Sequence, residues 1–169
     1  MESNRPHEGA DQGGHVGNAR EALHHIRASR QELARDRAVE ALSRHGRSQR
    51  TTFYIASSPE NHVAVRTLAD FFESRGWRWS AGHAWNRQRV HEAAWVARDM
   101  HAALTADVFI LLLGGNSLVG AHAQLGGRWA VRRSIYGIRH GSSHHPLHDL
   151  PEIIWHETME DYVQATFGY

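Results

Sequence analysis

The chain contains no cysteine and no lysine; all nineteen of its basic side chains are arginine. The first absence excludes a disulfide framework and thiolate chemistry. The second excludes lysine Schiff-base catalysis. No apolar run approaches the roughly 20 residues of a membrane helix. The opening residues, MESNRPHEGADQGG, lack the apolar core of an export signal, so a cytoplasmic protein without membrane contact is expected. Charge is nearly balanced, at +1 overall, so nothing in the total demands a nucleic-acid partner and none is expected. Neither G-x-x-x-x-G-K-[ST] nor G-x-G-x-x-G occurs, which removes the common nucleotide-binding loops.

What is present suits one globular domain. The 169 residues are 41% hydrophobic and 22% charged. Residues 1–17 are glycine-rich and polar and read as a disordered tail. Residues 18–50 read as an Arg-rich helix and linker, with Asn18 as cap and a thin stripe of Leu23, Ile26, Leu33, Val39 and Leu42. This segment carries nine arginines against seven acids if counted from residue 1, the balance of a solvated surface helix or a partner-binding arm.

From Thr51 onward, strands and helices alternate. Thr51–Ala56 is β-branched and aromatic. Ser58 and Pro59 suit a helix start, Val63, Leu68, Phe71 and Phe72 give its stripe, and Gly76 ends it. Residues 77–80 form a second strand, and residues 88–104 a helix with Val90, Ala94, Val96 and Leu104 as buried candidates. Val108 to Leu113 is unbroken apolar sequence, as in a strand buried on both faces. A helix enters after Gly120, a fourth strand covers 134–138, a His-rich loop 139–150, a fifth strand 152–155 and a last helix 158–167. The pattern predicts an α/β, flavodoxin-like doubly wound five-stranded parallel sheet with an extra N-terminal helix.

In such a sheet, ligands enter at the carboxyl edge of the strands. Gly114 and Gly115 end the central strand where the chain turns tightly or passes close to a ligand. Ser57 and Ser58 end the first strand, where hydroxyls and helix-start amides can bind phosphate or simply cap. Tyr54 reads as core, and Asp107 as a cap at the opposite edge. Gln124, one turn into a helix, is either a site residue or a polar residue at a helix start. His122 has the near-neutral pKa that suits acid–base work. His140, His144, His145 and His148 lack a carboxylate or thiolate that would complete a zinc site, so no metal and no cofactor are expected; a loop over the ligand is expected instead.

FYIASSPENHVAVRTLADFFESRGW, then ADVFILLLGG, then GAHAQLG, then HHPL before the last strand and helix, resembles the nucleoside 2-deoxyribosyltransferase-like family over about Thr51–Tyr169. The resemblance implies a nucleoside or nucleotide held at the sheet edge, and homo-oligomers in which a neighbouring subunit completes the pocket. It implies a glutamate that attacks the sugar C1′ and expels the base, the glycosyl-enzyme passing to another base or to water. It places Gln124 at that glutamate's position, His122 at the motif histidine, and Trp85 and Asn86 at a position usually aromatic, where Trp85 would stack on a base or cover the core edge. Gly114, Gly115, Gly120 and His145 complete the expected substrate contacts.

An amide is a poor nucleophile and lacks the full charge that faces an oxocarbenium ion. Gln124 therefore marks an engineered trap, a natural loss of turnover, or an enzyme that uses another group. The loop Asn116–Val119 also lengthens the family's glycine turn, and Leu113 stands where a proline often does. The implied activity is N-glycosidic bond cleavage or transfer, impaired in this form. The alternative is a non-catalytic nucleotide sensor or interaction module whose Arg-rich helix binds a partner.

Overall fold

A computed structural model describes residues 50–80, 93–115, 118–140 and 145–168, with scattered helical positions between 21 and 45. The elements are β1 (Thr52–Ser57), α1 (His62–Ser74), β2 (Arg78–Trp79), α2 (Ala93–Thr105), β3 (Val108–Leu112), α3 (Val119–Ala130), β4 (Ile135–Ile138), β5 (Ile153–His156) and α4 (Met159–Phe167). Short 3-10 turns occupy Pro59–Asn61 and Pro146–Asp149. The strands are all parallel, in the order β2-β1-β3-β4-β5, the doubly wound arrangement expected. The tail at residues 1–17, the loop with Trp85 and Asn86, and His144 lie outside the described residues.

Strand alternation sorts the core into two layers. Phe53, Ile55, Val108, Ile110 and Leu112 face Val65, Leu68 and Phe72 of α1 and Tyr162 of α4. Tyr54, Ala56, Phe109, Leu111 and Leu113 face the other way, against Ala102 and Ala103 of α2 and Ala121 and Leu125 of α3. Every residue of β3 is buried, because helices cover both of its faces. Two expected core positions are corrected. Val63 and Val96 are 66% and 60% exposed, and the buried stripes run instead through Val65, Leu68, Ala69 and Phe72, and through Ala102 and Ala103. The stripe in α1 was displaced because the helix begins after the Ser58–Pro59 turn, which rotates Val63 outward.

At the amino edge of the sheet, Asp107 accepts the Thr52 amide (2.8 Å) and hydroxyl (2.7 Å), tying β1 to β3 away from the crevice. Beside it lies a buried cation. Arg128 on α3 donates to the carbonyls of Leu104 (3.1 Å), Ala106 (2.7 Å) and Asp107 (3.2 Å), and through Nε to Ser134 (3.3 Å). These carbonyls end α2 and lead into β3, where a cation complements the helix dipole. Burial, with Arg133 nearby, lowers the Arg128 pKa to about 10, still far above neutrality. The guanidinium thus fixes α2 against α3. Arg128→Met removes the donors and leaves those carbonyls unsatisfied, so a loss of about 3 kcal/mol is expected in urea unfolding; an unchanged midpoint would refute the clamp.

Candidate functional site

The site is built where β1, α2 and α3 meet. Tyr54 is buried in mid-strand, its ring stacked on Phe109 with centroids 5.9 Å apart. Its hydroxyl donates to Asp99 Oδ1 at 2.8 Å. Gln124 Nε2 donates to the other oxygen, Oδ2, at 2.6 Å. One carboxylate on α2 is therefore held by a donor from the sheet and a donor from α3. Burial raises the Asp99 pKa, and the hydrogen bonds from Tyr54 and Gln124 oppose that rise without cancelling it. The Tyr54 hydroxyl is pushed up by burial and by the neighbouring Asp99 charge, so it remains a donor.

By its place in the strand pattern Tyr54 reads as core, and no motif singles out Asp99. Tyr54 is core by burial, but its hydroxyl reaches out of the apolar layer. Asp99 carried a usable signal. It stands three and four residues before Ala102 and Ala103, on the face of α2 that packs on the sheet. A carboxylate on that stripe needs partners. Gln124 is buried, 9% exposed, with its side-chain amide hydrogen-bonded to Asp99.

The turns at the carboxyl edge lie above this trio; Tyr54 is three residues, about 10 Å, along β1 from Ser57. Ser57 donates to Leu112 O (2.9 Å) and accepts from Asn61 Nδ2 (2.8 Å), which also donates to Gly114 O (3.0 Å). Ser58 is fully buried and caps the turn by accepting from the Glu60 amide. Gly114 and Gly115 have φ of 135° and 77°. A Cβ on Gly114 would lie 2.4 Å from the His140 carbonyl, and one on Gly115 would lie 2.7 Å from Ser58 Oγ. Close approach of neighbouring turns is thus sufficient reason for both glycines. Gly120 differs: it is exposed, and a Cβ there would meet only open space.

A histidine cluster flanks the start of α3. His148 Nδ1 accepts the His145 amide at 3.2 Å, which places the neutral ring's proton on Nε2. That proton points at His122 Nε2, 3.1 Å away, so His122 carries its own on Nδ1. His145 caps the Pro146–Asp149 turn by accepting the Leu147 amide and stacks on His122, with centroids 4.0 Å apart. Burial, and then the proximity of His145, lower the His122 pKa. Among the described residues, no group of three or more His, Asp or Glu is arranged to hold a metal.

No family model matches the chain, and no curated protein matches it in sequence. Among solved structures, it is similar to the CMP N-glycosidase BcmB of Clostridium botulinum, with a TM-score of 0.50 and 17% identity. The match covers 70% of this chain and 100% of that one. At this identity the likeness establishes the shared α/β fold.

Two outcomes test the geometry. Tyr54→Phe deletes one donor to the carboxylate, so the Asp99 pKa rises further and stability at pH 7 falls by about 2 kcal/mol; carboxyl NMR titration and urea unfolding report both, and an unmoved Asp99 resonance would break the link. For His122, the folded pKa lies below the unfolded value of 6.5. The unfolded chain therefore binds the proton first, and stability falls as pH drops below 6.5. Melting curves between pH 7.5 and 5 should show that loss, and His122→Gln should diminish it; a His122 ring titrating above 6.5 would contradict the neutral pair.

Proposed function

We propose that this chain is a nucleoside- or nucleotide-binding protein of the nucleoside 2-deoxyribosyltransferase-like class, acting on the N-glycosidic bond. The observation that carries this reading is the Asp99 carboxylate fixed between Tyr54 and Gln124, below the turns of a doubly wound sheet. Such a half-buried carboxylate supplies negative charge to an oxocarbenium-like sugar, which is the chemical need of N-glycoside cleavage. The fold shared with a CMP N-glycosidase supports the same class. Gln124 stands at the position of the class's nucleophilic glutamate. Gly120 leaves room beside it, His122 and His145 border the opening, Ser57, Ser58, Gly114 and Gly115 shape the edge, and Trp85 and Asn86 are assigned to the base. Homo-oligomers belong to the same reading.

The test is release of free base from a panel of nucleosides and nucleotides, by the chain as it stands and by Gln124→Glu. Binding with slow release is expected for Gln124, and faster release for Gln124→Glu, which restores the carboxylate nucleophile of the class. Absence of both binding and release in both forms would sink the assignment.

A further inference from the structure

The 2.6 Å contact between Gln124 and Asp99 changes what the site can do. Two carboxylates at that separation cannot both ionise; they would share one proton. A glutamate at 124 would thus give the pair a single negative charge. Gln124 gives the same total, but its amide hydrogens pin the charge on Asp99. The contact also fixes the direction of the amide. With Nε2 committed to Asp99, Oε1 remains as an acceptor that can hold a water by one of its hydrogens.

We infer that this chain is a hydrolase by direct displacement, in which Asp99 is the general base and Gln124 orients the attacking water. The inference rests on the N-glycosidic reading above and decides its end point. Water held by Gln124 Oε1 and Asp99 attacks C1′. The C1′–O bond forms as the C1′–N bond breaks, and the bonding pair leaves with the base, which takes a proton from solvent. The water's proton passes to the Asp99 carboxylate and then to solvent. Gln124 forms no sugar ester, because an amide cannot supply one, and Asp99, with one protein hydrogen bond on each oxygen, takes up the water's proton on a remaining lone pair. The sugar is therefore never held for a second base. Burial that raises the Asp99 pKa brings it nearer the working range of a base.

The experiment supplies a nucleotide that the chain cleaves, together with an excess of a second free base, and follows released base and any new nucleotide. The unaltered chain should release base with no new nucleotide and no sugar-sized mass added to the protein. Asp99→Asn, compared at saturating nucleotide, should release base about 100-fold more slowly, or slower still. Gln124→Glu should begin to form new nucleotide. Transfer by the unaltered chain, a sugar adduct on it, or undiminished release by Asp99→Asn overturns this mechanism while leaving N-glycosidic cleavage standing. Failure of every form to bind or cleave any nucleotide overturns both.

Discussion

One carboxylate organises the interior edge of this molecule. Asp99 is partly buried, and burying an anion without partners costs several kcal/mol. Its partners arrive from two separate elements, the Tyr54 hydroxyl from β1 and the Gln124 amide from α3. The carboxylate can stay in place only if α2, α3 and the sheet hold a fixed register. The constraint is reciprocal, since Gln124 and the Tyr54 hydroxyl would otherwise be polar groups buried with nothing to bind.

The rest of the fold supplies that register. Asp99 and Ala103 are one turn apart on α2, and Gln124 and Arg128 are one turn apart on α3. Arg128 gathers the carbonyls at the end of α2 one rung below the Asp99–Gln124 contact. A buried cation and a half-buried carboxylate thus tie the same two helices together at successive turns. Above them, the glycine turn after β3 presses against the side chains of Ser58, Glu60 and Asn61 and against the His140 carbonyl after β4. The histidine cluster at the start of α3 adds the His122–His148 contact and the bond from the His145 amide to His148.

Much of this architecture is legible from the residues. The apolar run of β3, the β-branched start of β1 and the glycine and proline punctuation carry local signals strong enough to place every strand within a residue or two. Val63 and Val96 are apolar yet exposed, because apolar identity alone does not fix the phase of a helix. Gln124 was visible through its motif. Asp99 shows in the sequence only as a carboxylate on the packed face of α2; its partners, a tyrosine 45 positions away and a glutamine 25 positions away, do not show. Contacts of that range leave no periodic trace. Tyr54 was hidden by its own ring, which obeys the core pattern while its hydroxyl does not.

The central claim is spatial: a sugar carbon lies within one water of both Asp99 and Gln124. A crystal structure with a bound nucleoside or nucleotide measures this directly. The account predicts the sugar beside Gly120, with a water between C1′ and the Asp99–Gln124 pair. A ligand seated elsewhere on the sheet edge, with that pair shut away from it, would contradict the account.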